Sequence, residues 1–570
     1  MCNKRFALLP AAVALLIAAS PARAILPIQH WQAASGARVY FVENHDLPML
    51  DISVEFPAGA GYDQPAKSGV ASMTQHLLKS GADGMSEDDI ARRVADIGAQ
   101  LGGRFDADRA GLSVRTLSSA RERKQALDIL ARSLRAPAFP AEVLNREKVR
   151  LVGSLKEADT KPDTIVSRTF YRLAYREHPY ALRASGEVES VEGIARADLL
   201  AFHKRHYAAR YAVVALIGDV TRAEAEAIAE EVTRGLPEAS GSEPVLPPVE
   251  RLAEGASRAV PHHAAQAHIL IGAPGISRTD PDYIALYVGN HVLGGGGFAS
   301  RITEEVRQKR GLAYSASSYF YPLQREGPFT ISMQTRRDQA AQALEVTRAT
   351  LAEFVKSGPT ADELEAAKRN IVGGFPLRID SNRKIHEYLA LIGFYRLPLT
   401  YLEDFQQRVE RLSAADIRDA FRRRVDPARM DGGGRRRSPR FGRRTLTPRS
   451  GAPPLHDPQP GAHHRGRVAQ PARPVRAAAG PASDARPGAR DALQLAGTGS
   501  RRQDLPRPLR RQRSAGIRGG LAWRPARGDG RARPGRLPRA RSEPCGAGRH
   551  RCGTQESGCA RIPARRRRCL

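Results

Sequence analysis

Cysteine is nearly missing from this chain. Of five cysteines in 570 residues, Cys2 stands at the extreme N-terminus and the other four come at Cys545, Cys552, Cys559 and Cys569. Residues 25 to 430 hold none, which excludes a disulfide framework, a thiolate metal cluster and a cysteine nucleophile from that span. Long apolar runs are missing too. The longest, Phe6 to Ala19, falls short of the ~20 residues that cross a bilayer. Lys4 and Arg5 precede it, and Ala22-Arg-Ala24 supplies a small-x-small cleavage site. Residues 1–24 therefore read as a Sec-type signal peptide cleaved after Ala24, and the mature chain as periplasmic with no membrane span. Lysine is missing from residues 431–570, which carry 34 arginines against 8 acidic residues. That tail accounts for +26 of the net charge of +30, so the first 430 residues are nearly balanced. The body has the charge of an ordinary globular protein, and the basicity belongs to the tail.

What the body does contain is strand and helix patterning in two copies. Ala37–Val42, Leu50–Phe56 and Arg109–Thr116 alternate as strands, and Arg210–Gly218 ends in a buried apolar run. Gly69–Ser80 reads as a helix, and Ser86 followed by three acids opens another. A Pro/Gly/Ser-rich linker at 235–248 separates residues 25–234 from residues 249–430. Pro140 and Pro359, Pro179 and Pro398, Phe202 and Phe421, and Arg210 and Arg429 each lie 219 residues apart. A constant offset over that length predicts two copies of one α+β unit. The paired histidines His262 and His263 are adjacent, so they are expected to project in different directions without a metal role.

The chemistry-bearing stretch is Leu293–Ser315. Four glycines open it, a helical segment follows with Phe298, Ile302 and Val306 spaced on one face, and Ala313–Phe320 reads as a strand. This run resembles the second-domain signature of the insulinase/pitrilysin-type zinc peptidase family (peptidase family M16). On that resemblance Arg307 and Tyr314 fall where the family grips substrate peptide, and a guanidinium and a phenol are suitable donors to a peptide carbonyl. The family's first domain supplies His-x-x-Glu-His after a Gly-x-Ala turn, with a distal glutamate as third zinc ligand. Here Gly69-Val-Ala71 aligns, but Ser72 stands at the first histidine, Gln75 at the glutamate and Ser154 at the distal ligand; only His76 remains, with Glu147 two turns before Ser154. A catalytic zinc needs three protein ligands, and an amide is no base at neutral pH.

The resemblance, covering roughly residues 27–430, thus implies two homologous α/β peptidase-like domains forming half of a clamshell. It further implies no catalytic residue and no metal in this chain, with zinc expected in a partner subunit. Some relatives divide the work in this way, one subunit bringing zinc and the other the Arg/Tyr pair, and this chain looks like the second kind: a non-catalytic subunit of a heterodimer that binds extended peptides. Two other classes compete: a peptide-binding protein with no proteolytic partner, and a basic-tailed nucleic-acid-binding protein that rests on the tail's charge alone.

The tail at 431–570 has no tyrosine, one phenylalanine and one tryptophan among dense Arg, Pro and Gly, a composition expected to stay disordered. Its four cysteines lack the closely paired spacing of a zinc module. The internal repeat gives a different account. Tyr211 is followed by Ala-Val-Val-Ala-Leu-Ile-Gly218, whereas Met430 is followed by Asp431-Gly-Gly-Gly-Arg-Arg436. Codons GAC GGT GGT GGT CGG CGG encode the latter, and one base later they read Thr-Val-Val-Val-Gly. Leu446-Thr447, as CTG ACN, hides a stop in the same frame. Pro506–Gly516 in that frame can read Leu-Asp-Leu-Phe-Ala-Gly-Ser-Gly-Ala-Leu-Gly, which resembles the cofactor loop of ribosomal-RNA guanine methyltransferases. The tail therefore reads as a neighbouring gene out of frame, with no nucleic-acid role for this protein. Resequencing the DNA across codons 425 to 435 is expected to show one base gained or lost at Met430. Intact tail peptides in the mass spectrum of the mature protein would restore the basic arm.

Overall fold

The computed structural model describes residues 27–430; the expected signal peptide and the Arg-rich tail lie outside the described residues. The chain opens with β1 (Gln29–Gln32), β2 (Arg38–Glu43) and β3 (Met49–Phe56), then a two-residue ribbon of β4 (Gly81–Ala82) and β5 (Met85–Ser86). With β6 (Gln100–Phe105), β7 (Ala110–Leu117) and β8 (Val213–Gly218) it builds a six-stranded sheet in the order β1-β2-β8-β3-β7-β6. β8 lies between β2, to which it is parallel, and β3, to which it is antiparallel. Every residue of β8 is buried, which is why its sequence runs apolar without alternating. The strands expected from alternation lie within one residue of β2, β3 and β7. β8 starts later than expected because Ala209–Tyr211 forms a 3-10 turn. Ser86 caps the helix Glu87–Asp96, its Oγ accepting from Asp89 N at 3.1 Å while the Asp89 carboxylate accepts from Ser86 N at 3.1 Å.

The second half carries β9 (Gln266–Ile276), β10 (Ala313–Phe320) and β11 (Gly327–Arg336), antiparallel in the order β10-β11-β9. The 219-residue offset places β3 inside β9 and β7 on the end of β11, so the two sheets share one plan. By the same offset the counterpart of β8 falls at 432–437, past the described residues. Among the described residues β9 pairs with β11 alone, and its other edge is the one that β8 occupies beside β3 in the first half. Seven of eight residues are buried in β3, whereas most of β9 is only half-buried. A 460 Å³ cavity borders β9, lined by Leu252, Ile269, Ile271 and Met430 among others.

Each half lends the other a helix. Pro162–Tyr175 lies on β9 of the second sheet, where Gly272 lets the ring of Phe170 approach: a Cβ there would sit 2.9 Å from Phe170 Cε2. Its repeat counterpart, Asn382–Tyr395, lies on the first sheet, burying Leu389 and Ala390 against Val42, Ala215 and Ile217. Beneath this exchange sits the carboxylate of Asp108. It accepts from Tyr180 Oη at 2.5 Å in the first half, and from Gln324 N at 2.6 Å and Tyr395 Oη at 2.7 Å in the second. Burial, and after it the neighbouring Asp106 carboxylate, raise the Asp108 pKa above its ordinary value.

The second helix packs tightly on the first sheet at Gly393, where an added Cβ would lie 2.6 Å from Val213 Cγ1 and 2.7 Å from Tyr40 Cδ2. Gly393→Leu is expected to cost about 1–3 kcal/mol by overpacking, read as a lower urea midpoint. Gly153, on a helix with nothing within 4 Å of an added Cβ, should behave oppositely. Gly153→Ala is expected to gain roughly 0.5–1 kcal/mol.

Candidate functional site

The helix Val70–Leu77 starts where the chain needs a glycine. Gly69 has φ +97°, and a Cβ there would meet Ser185 O at 3.0 Å. The carboxylate of Asp63 accepts from Gly69 N at 2.7 Å and Ala71 N at 2.8 Å, fixing the first turn. Helical spacing then places Ser72, Gln75 and His76 along one face. The helix Ala141–Ala158 brings Glu147 to that face, its Oε2 3.5 Å from His76 Nε2. Ser154, farther along, is exposed. Gln75 Nε2 is committed elsewhere, donating to Gly111 O at 3.2 Å.

Glu147 is no free ligand either. Arg146 Nε donates to its Oε1 at 2.8 Å and Arg150 Nη1 at 3.1 Å. Burial works to raise the Glu147 pKa, but these hydrogen bonds outweigh it and hold the carboxylate below its ordinary value. The His76 pKa is lowered, first by burial and then by the Lys79 ammonium, with Glu147 opposing and Arg150 adding to the effect. One imidazole, one engaged carboxylate, two hydroxyls and an amide do not meet the three-ligand requirement of a catalytic zinc. Among the described residues no group of three or more His, Cys, Asp or Glu is placed to hold a metal ion.

The glycine-rich stretch behaves differently from its expected helix. After the helix Tyr283–Asn290, residues His291–Gly295 widen into a π-turn, Gly297 takes φ +64°, and Gly297–Ala299 forms a 3-10 turn. Ile302 and Val306 are fully buried as expected, but Phe298 is 68% exposed. The positive φ at Gly297 breaks the helical period, so Phe298 leaves the face it was assigned. A π-turn at Thr303–Gln308 then carries Arg307. Across from it, β10 pairs Ala313 with Thr335 and Ser315 with Gln334, so Tyr314 is the extra residue of a β-bulge. Freed from the ladder, Tyr314 stands 76% exposed.

The two irregularities bring the side chains together. The Arg307 guanidinium lies 5.5 Å from the Tyr314 ring centroid and 4.8 Å from that of Phe298. This open sandwich presents guanidinium and phenol donors between aromatic surfaces, with each cation–π contact worth about 0.5–1 kcal/mol at an exposed site. The four consecutive glycines before Phe298 are the sequence signal that breaks the helical period there. His262 and His263 also differ from expectation: their rings stack at 4.3 Å, because irregular chain imposes no alternation of direction. His262 Nε2 contacts Thr160 O at 3.0 Å.

A repeated α+β body, a helix face unsuited to metal and an exposed guanidinium–phenol pair together define a peptidase-like protein of degenerate type. Residues 38–187 match the family described as Insulinase (Peptidase family M16), and residues 193–371 match the Peptidase M16 inactive domain. A crystal structure of a peptidase M16 inactive domain from Pseudomonas fluorescens is 38% identical, with a TM-score of 0.67 over 71% of this chain and 96% of that one. The chain belongs to peptidase family M16. An uncharacterized zinc protease of Bacillus subtilis, YmxG, is 26% identical over 356 residues, 62% of this chain and 85% of that protein. A protein named as a non-peptidase homolog, YmxG of Helicobacter pylori, is 24% identical over 387 residues, 67% of this chain and 87% of its own length.

The charges around His76 yield a titration test. Followed by NMR, the His76 imidazole should titrate below its ordinary value, remaining neutral at pH 7. Lys79→Met removes a repelling charge and should raise the midpoint; Glu147→Gln removes an attracting one and should lower it further. A midpoint unmoved by either substitution would show that these charges do not govern the face.

Proposed function

We propose that this protein is a non-catalytic, exported subunit of an M16-type zinc peptidase, holding extended peptide for a zinc-bearing homologue. The observation that carries this reading is the contrast between the two faces. Arg307 and Tyr314 are exposed together, while Ser72, Gln75, His76 and Ser154 stand in metal positions that arginine and lysine surround. In this reading residues 1–24 are the leader, 25–234 and 249–430 the two peptidase-like domains, and 235–248 the linker, with the periplasm as the working compartment. The backbone of a bound peptide would lie along the open face near Tyr314, where the phenol and guanidinium donate to its carbonyl oxygens. Zinc, the general base and the attacking water belong to the partner.

The second reading, a peptide-binding chamber with no catalytic partner, uses the same donors. The gene neighbourhood distinguishes the two: an adjacent reading frame encoding His-x-x-Glu-His supports the first reading, and its absence favours the second.

Two measurements test the proposal. The purified protein should carry no stoichiometric zinc and cleave no peptide alone; zinc-dependent cleavage by this chain by itself would overturn it. In an active pair, Tyr314→Phe is expected to lower turnover by roughly 10²–10³-fold, through loss of one donor to the developing negative charge. Unchanged kinetics in both Tyr314→Phe and Arg307→Gln would remove the pair from the mechanism.

A further inference from the structure

The second half holds a cavity of about 70 Å³, lined on one side by arginine, tyrosine, Asn290 and His291 and on the other by apolar side chains. Two guanidiniums, Arg278 and Arg378, face it together with tyrosines, and no aspartate or glutamate lines it. Among the described residues neither arginine has a carboxylate partner. Arg278 Nη1 reaches only Tyr283 Oη at 3.3 Å, its Nη2 donates to Pro322 O at 3.1 Å, and its Nε is buried without any partner. Arg378 lies 5.6 Å from the Tyr287 ring centroid and lines the cavity together with Tyr287 and Tyr388.

The direction of these hydrogen bonds matters. A guanidinium only donates, so each tyrosine oxygen it reaches acts as acceptor and keeps its own O–H proton for another partner. The one amide in the wall is already satisfied, Asn290 donating to Ser318 O at 3.1 Å and accepting from Ser318 Oγ at 2.6 Å. The cavity therefore offers spare donors and two uncompensated positive charges. Leaving such charges without a counter-charge in a half-buried site is costly unless an anion completes it. Phe375 and Phe405 stack at 5.1 Å along another side and supply an apolar wall. The half-buried Tyr283, Tyr287 and Tyr319 leave the cavity open to solvent.

We propose that this cavity is a binding site for a carboxylate carried on a short apolar body, held by Arg278 and Arg378 with tyrosine hydroxyls completing its oxygens. A planar guanidinium matches a carboxylate in bidentate fashion, and the phenyl wall takes the attached side chain. The volume holds several water-sized groups, enough for a carboxylate and a branched side chain but not for a folded ligand. Two sources share this chemistry: a free organic acid and the C-terminal residue of a peptide. The site is separate from the Arg307–Tyr314 pair and does not depend on the proposed zinc partner.

The test is calorimetric titration of the full chain with N-acetyl-leucine, N-acetyl-leucine amide, and a leucine-terminated hexapeptide in free-acid and amidated forms. The acid is expected to bind and its amide to bind at least tenfold more weakly. Arg278→Gln and Arg378→Gln should each weaken the acid at least tenfold at unchanged thermal midpoint. If Arg278→Gln unfolds, owing to its stacking on Tyr395, the half-exposed Arg378 carries the test alone. Free-acid hexapeptide binding as well as the short acid identifies a peptide terminus as the source; binding of the short acid alone identifies a free acid. Binding of neither acid, equal binding of acid and amide, or full affinity in a folded Arg378→Gln overturns the proposal.

Discussion

The structure depends on the exchange of one helix between two copies of a repeated unit. Neither sheet covers both of its own faces. Pro162–Tyr175 leaves the first half to lie on β9, and Asn382–Tyr395 leaves the second to lie on the first sheet. Apolar faces of this extent are costly in water, so each unit gains from covering the other. Asp108 then ties the exchange together, because its carboxylate takes donors from both halves. A buried carboxylate with fewer partners would carry a heavy desolvation cost, and so the network favours one relative placement of the halves.

On that scaffold, irregular chain brings two exposed side chains together. Arg307 and Tyr314 do not meet through helix or strand periodicity. They meet because a π-turn and a β-bulge each depart from the regular ladder, and because the buried Ile302, Val306, Ala316 and Phe320 hold both departures in place. The opposite arrangement holds on the degenerate metal face. There the helix is regular, but its side chains do not suit a metal, and Arg146, Arg150 and Lys79 place positive charge around Glu147 and His76.

Among the described residues the second sheet has no strand on the side of β9 that β8 fills beside β3. β8 is the most uniformly buried strand of the first sheet, and among the described residues nothing takes its place beside β9. Residues half-buried along β9, and the cavity they border, mark an edge that in the first half is closed by backbone pairing.

Much of this was legible in the sequence. Arg307 and Tyr314 stood out by resemblance to a family motif, whereas the strands read from alternation and the Ser86 cap rest on local rules: side-chain period and capping chemistry. Those rules act over a few residues and survive whatever the rest of the chain does. Phe298 and the stacked His262 and His263 were misjudged because a regular period was extended into chain that has none. The exchange of helices, the Asp108 network and the donor-lined cavity could not be read from the sequence. Each joins residues far apart in the chain, such as Asp108 and Tyr395, or Arg278 and Arg378. Local pattern determined which residues would be buried or capped; only tertiary packing decided which distant partners they would be buried against.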